Sequence, residues 1–166
     1  TSKDLTAYFI DCPAKDVGIA IELIGDSMQH IAFEPTEFAR ELKVVQQELA
    51  DGEVDRRRVL FNTLSETVYT THPARHPIIG YLDVLKNISN DQIIDFYRDR
   101  YVPNNMVFVV VGDVDTEKVM EQIAAEFKET PRAPETVVPM QDEPKQLAPR
   151  ESIRPMDGPT YDFALA

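Results

Sequence analysis

The sequence holds a single cysteine, Cys12, in 166 residues. That excludes an intramolecular disulfide and a thiolate metal cluster, and a lone cysteine near a strand end more often packs as a small hydrophobe than attacks as a nucleophile. Long hydrophobic runs are also missing. The most apolar stretch, Met106–Val111, is strand-sized, far short of the ~18 residues a membrane helix needs. Thr1–Leu5 carries no apolar segment of the kind that opens a secretory leader. Positive charge is scarce: 17 Lys and Arg stand against 29 Asp and Glu, for a net charge of −12. A basic nucleic-acid footprint is therefore absent, and neither nucleic acid nor an anionic membrane is expected as a partner. Such acidity could attract basic peptides, but it more commonly serves solubility. The chain also lacks a Gly-rich phosphate loop, a nucleophile elbow, a Cys–His pair with an orienting partner, and any internal repeat.

What is present suits one folded domain. Hydrophobic residues make up 43% and charged residues 28%, the balance of a soluble core-forming protein. Thr6–Asp11 reads as a strand stopped by Pro13. Val17, Ile21, Ile24, Met28 and Ile31 step by helical intervals and predict a helix over Ala14–Ile31. A second helix starts near Pro35, with Phe38, Leu42, Val45 and Leu49 as its inner stripe, and runs on to about Val68. Gly52 marks a weak point where a kink or break is expected. Two prolines keep Thr70–Pro77 out of regular helix. A short helix over Tyr81–Asn87 is followed by a capping box at Ser89 and Gln92, opening a helix with Ile93, Phe96, Tyr97 and Tyr101 inward. Met106–Val111 reads as a buried central strand. Asp115 caps a last helix with Val119, Ile123 and Phe127 inside. Residues 131–159 carry seven prolines and read as a linker or arm. Residues 160–166 alternate like the start of a strand, so both ends are expected to fall inside structure.

Glu41 and Glu48 are the most informative polar pair. Seven residues apart on a helix, they share a face and lie ~10.5 Å apart along its axis. Both border the apolar stripe, where a carboxylate calls for a metal, an arginine or a hydrogen-bond donor. Glutamate oxygen is a proper zinc ligand. Glutamates at this spacing on a long charged helix are also commonly solvated, and spacing alone leaves both readings open. His72 and His76 have the interval of a helical zinc pair, but Pro73 and Pro77 prevent the helix that such a pair requires. They read as loop residues, and His30 as a residue placed to favour a helix C-terminus.

These residues together resemble a family. Thr1–Tyr8 is similar to the segment just downstream of the His-x-x-Glu-His helix of pitrilysin/insulinase (inverzincin) zinc metallopeptidases. Glu41 to Glu48 resembles that family's Glu-x6-Glu helix. His76-Pro77-Ile78-Ile79-Gly80, Phe96-Tyr97, Tyr101-Val102-Pro103-Asn104-Asn105-Met106 and Val109-Val110-Val111-Gly112-Asp113-Val114-Asp115 follow in the family's order. The match is good over about residues 1–128. The resemblance implies a zinc-dependent endopeptidase that hydrolyses peptide bonds with zinc-activated water. Glu48 corresponds to the distal zinc ligand, and Glu41 to a glutamate that supports the site from outside the ligand set. The His-x-x-Glu-His motif is absent, since no histidine precedes His30. No catalytic residue is therefore expected in this chain, and zinc is expected in the full-length protein rather than on this polypeptide. A peptide or unfolded polypeptide is the expected substrate, and a homologous second half-domain or partner subunit the expected neighbour. The alternative is a non-catalytic homologue acting as a scaffold or partner subunit. The expected fold is α+β, an antiparallel-rich sheet with helices packed on one face. It would be an incomplete half-clamshell domain over residues 1–130, followed by the Pro-rich arm at 131–159 and a strand beginning at 160–166.

Overall fold

The structure is a computed structural model, and it describes residues 1–134 and 140–166. Among the described residues six α-helices form in order: α1 Val17–Gln29, α2 Pro35–Val54, α3 Arg56–Val68, α4 Leu82–Asn87, α5 Asn90–Arg100 and α6 Thr116–Glu126. Short 3-10 turns stand at Ala14–Asp16, Pro73–Arg75 and Pro103–Asn105. Residues 135–139 of the Pro-rich stretch lie outside the described residues.

The local signals hold where the hydrogen bonds are local. Proline opens α2, where its missing N–H would be unpaired anyway. The break that follows falls at Asp55, three residues beyond Gly52. Asp55 accepts from the Arg58 amide and caps α3. Ser89 and Gln92 form the expected capping box on α5, and Asp115 accepts from the Lys118 amide at the start of α6.

The chain divides into two compact units. One comprises Thr1–Leu5, Pro35–Ile88 and the described part of Val138–Ala166. Here α2 packs against α3 and α4, and α3 against the Pro73–Arg75 turn. Leu49 is buried, and Phe38, Leu42 and Val45 lie half-buried on the same stripe.

The other unit comprises Thr6–Glu34 and the described part of Ser89–Val137. Helices α1 and α6 pack together. Ala20, Ile21 and Met28 are buried on α1 and Val119 on α6. The approach is close: a Cβ at Gly25 would collide with the Glu126 side chain. Gln122 Nε2 donates to the Gly18 carbonyl at 2.7 Å, and Gln29 Nε2 to the Glu126 carbonyl at 3.3 Å. Phe33 takes a left-handed backbone, φ 51°, a conformation that costs a non-glycine residue energy. Two contacts hold it there. Asn90 Nδ2 donates to its carbonyl at 2.9 Å, and its ring meets Tyr97 edge-on at 5.0 Å. Tyr97 in turn donates to the Met28 carbonyl at 2.7 Å. The expected inner position Phe96 is 59% exposed.

The expected α+β fold is not what forms. Among the described residues there is no strand and no sheet; Thr6–Asp11, Met106–Val111 and residues 160–166 carry no regular secondary structure. Met106–Val111 shows why the pattern misled. Val107, Val109 and Val111 are 89%, 78% and 92% exposed, while Met106, Phe108 and Val110 are half-buried. Phe108 stacks edge-on against Phe127 at 5.4 Å. The run is apolar at every position, which reads as a strand covered on both faces, but only alternate side chains are covered here, Phe108 by Phe127 at the end of α6. A strand needs in addition a ladder partner for its amides and carbonyls. Neither Thr6–Asp11 nor any other described segment provides one to 106–111. Cys12, read as a buried hydrophobe, is exposed.

Candidate functional site

Helix α2 carries both glutamates that the sequence singles out. It runs unbroken from Pro35 to Val54, so Glu41 and Glu48 stand two turns apart on one face. Their side chains are 62% and 61% exposed. Each has an arginine rather than a second acid beside it. Arg40 Nε lies 3.6 Å from Glu41 Oε1, and Arg58 Nη2 lies 3.4 Å from Glu48 Oε1. The Arg58 guanidinium also approaches the Glu48 carbonyl at 3.5 Å. Arg58 reaches across because α2 has no side chain at Gly52. A Cβ there would sit 2.8 Å from Arg58 Cδ.

The histidines are engaged locally. His72 Nδ1 accepts from the Ala74 amide at 3.1 Å and so caps the Pro73–Arg75 turn. His76 Nδ1 pairs with the Tyr81 hydroxyl at 2.8 Å, and His30 Nδ1 with Asp26 at 2.9 Å.

A catalytic zinc ion takes three protein ligands. No group of three or more His, Cys, Asp or Glu side chains lies together among the described residues. The residues present therefore do not fit a complete zinc site, although the Glu48 carboxylate is a suitable single ligand.

Sequence reading missed Arg58 as the partner of Glu48. It lies ten residues away across a helix break, and only the break's location sets that contact. No helix among the described residues is long and apolar enough to cross a membrane.

Known proteins place these residues in context. Residues 1–82 match the family model described as Insulinase (Peptidase family M16), and residues 87–166 match the model described as Peptidase M16 inactive domain. The zinc protease PqqE of Helicobacter pylori is 30% identical over 162 residues, covering 95% of this chain and 36% of its own length. Human mitochondrial cytochrome b-c1 complex subunit 1 is 25% identical over 121 residues, covering 73% of this chain and 25% of its own. The chain thus spans only about a quarter to a third of these relatives. A protease from Helicobacter pylori of known crystal structure superposes with a TM-score of 0.75 at 28% identity, covering 82% of this chain and 34% of that one. The two family models, matched in succession along nearly all of the sequence, and the relatives that share it show that the chain belongs to the insulinase family of peptidases, M16.

Proposed function

We propose that this chain is part of a zinc-dependent metalloendopeptidase acting on peptides or unfolded polypeptides, in which Glu48 supplies one zinc ligand and Glu41 supports the site. One observation carries the reading: Glu41 and Glu48 lie two turns apart on a single unbroken helix, within the stretch that matches the insulinase model. Zinc belongs to the full-length protein in this reading. With one family ligand and no general base, the polypeptide itself neither holds zinc tightly nor cleaves peptides. The remaining ligands and a homologous second half-domain or partner subunit complete the centre. The likeness to a zinc protease over 95% of the chain supports this assignment.

A second reading, a non-catalytic scaffold or partner subunit, is favoured by two observations. Residues 87–166 match the family's inactive domain, and a cytochrome b-c1 complex subunit is among the relatives. A His-x-x-Glu-His motif encoded ahead of Thr1 separates the two, being required by the enzyme and not by the scaffold.

Calorimetric titration of this polypeptide with zinc, together with an assay on an unstructured peptide with and without chelator, tests the placement of the catalytic residues. Weak zinc binding and no cleavage are expected. Sub-micromolar zinc affinity, or cleavage abolished by the chelator, would show a complete site here and overturn the reading.

A further inference from the structure

The end of α3 and the loop after it leave polar groups that neither the helix nor the loop can satisfy. The last carbonyls of a helix have no partner within it, and the amides of Thr70, Thr71 and His72 follow at once where the chain bends. Both sets are met from more than 70 residues away in sequence. Glu143 Oε1 accepts from the Thr70 amide at 2.8 Å and the Thr70 hydroxyl at 2.6 Å. Its Oε2 accepts from the Thr71 amide at 2.9 Å, the His72 amide at 3.0 Å and the Thr71 hydroxyl at 3.2 Å. Arg150 Nη1 donates to the Val68 carbonyl at 2.8 Å and the Thr67 carbonyl at 3.3 Å. It lies 3.8 Å from Glu143 Oε1. The carboxylate thus meets three amides and the cation meets the helix C-terminus, each in the sense that charge and dipole favour. Glu143 and Arg150 are among the better covered charges of the chain, 20% and 29% exposed.

Further anchors continue along the same helix. Arg154 Nη2 pairs with Glu66 at 3.3 Å. Arg56, at the first turn of α3, holds Asp162 through Nε at 2.9 Å and donates to the Thr160 carbonyl. Its guanidinium lies against Gly158, whose φ of 149° suits glycine and where a Cβ would collide with it.

We infer that Thr70–His72 is a carboxylate-binding site whose resident ligand is this chain's own Glu143, so that residues 140–162 form a strap latched along α3. The ligand class follows from the donors: three backbone N–H groups and two hydroxyls converge on two oxygens, the arrangement that selects a planar carboxylate. A neutral amide in its place offers one acceptor oxygen and turns an NH2 group toward N–H donors. The strap is held by charge at separate points rather than by a buried apolar face. Leu147 and Ile153 within it are 91% and 76% exposed.

The test is amide hydrogen exchange on the intact protein, comparing wild type with Glu143→Gln and with Arg150→Met, and using the amides of α2 in the same unit as the folding control. Glu143→Gln is expected to speed exchange at Thr70, Thr71 and His72 by about tenfold or more with α2 unchanged, because those amides lose a charged acceptor. Unchanged exchange at the three amides would overturn the inference. A second measurement needs no variant. The carboxyl carbon resonance of Glu143, followed by NMR against pH, is expected to titrate well below the ordinary glutamate range, and a midpoint inside that range would equally overturn the assignment.

Discussion

Arg58, in the first turn of α3, reaches back over Gly52 to Glu48 on α2, with 3.4 Å between Nη2 and Oε1. The helix break at Asp55 makes the contact, and the missing side chain at position 52 leaves room for it. Half-exposed ion pairs of this kind contribute little, about 0–1 kcal/mol.

Glycine at two helix positions is therefore expected to respond differently to alanine. At Gly52 the added Cβ meets the flexible end of Arg58, which can swing aside. The helix gains up to about 1 kcal/mol of propensity and loses a weak ion pair, so Gly52→Ala should leave stability within about 0.5 kcal/mol of wild type. At Gly25 the Cβ meets Glu126 close to its own backbone, where α1 and α6 pack. Gly25→Ala should cost about 1–3 kcal/mol, as overpacking does. Equilibrium urea denaturation of both variants checks the contrast, and equal effects would contradict it.

The capping residues should be felt individually. Ser89 accepts from the Gln92 amide at 3.2 Å, and Gln92 returns the contact to the Ser89 amide at 2.8 Å. Ser89→Ala is expected to destabilise by about 1 kcal/mol, and Asp115→Ala by a similar amount through loss of its bond to the Lys118 amide. A shift in thermal midpoint reads both, and Ser89→Asp should recover most of the first loss.

Tyr101 should titrate late. Burial, then the hydroxyl contact with Tyr8 at 2.7 Å and the neighbouring phenols of Tyr8 and Tyr97, push it up to about 12 from 10.0. A raised folded value means that the stabilisation is fully present below pH 10 and is lost as pH rises through 12. Phenolate absorbance should show one tyrosine ionising near 12. Tyr8→Phe should bring that midpoint down while leaving it above 10.0, since burial remains the largest cause.

Acid should loosen the strap. Partial burial alone would raise the Glu143 carboxyl. The Thr70 hydroxyl and the amides of His72, Thr71 and Thr70 outweigh it and hold the group well below the usual carboxylate range. Arg150 lies against it, Arg75 binds the Thr70 carbonyl at 2.6 Å, and the His72 ring is turned to the Ala74 amide. A depressed folded value means that its stabilisation is present above the ordinary glutamate value of 4.5 and is lost as pH falls from there. Proteolytic susceptibility of the segment after residue 140 should rise below that point, and Glu143→Gln should show the same susceptibility at neutral pH.

The sequence by itself determined most of the helix positions, the caps at Ser89 and Asp115, and the family. Hydrogen bonds within helices and capping boxes close between residues three or four apart, so a stripe such as Phe38, Leu42, Val45 and Leu49, or a pair such as Ser89 and Gln92, carries its own structure. The same logic puts Glu41 and Glu48 on one face of α2. Only the tertiary structure decided the rest. Whether Met106–Val111 becomes a strand depends on a ladder partner elsewhere in the chain, and an apolar run of six residues cannot supply one. The company of Glu48 depends on where the helix breaks. The latch joining Glu143 to Thr70–His72 depends on donors more than 70 residues away, whose convergence leaves no period or motif in the sequence to read.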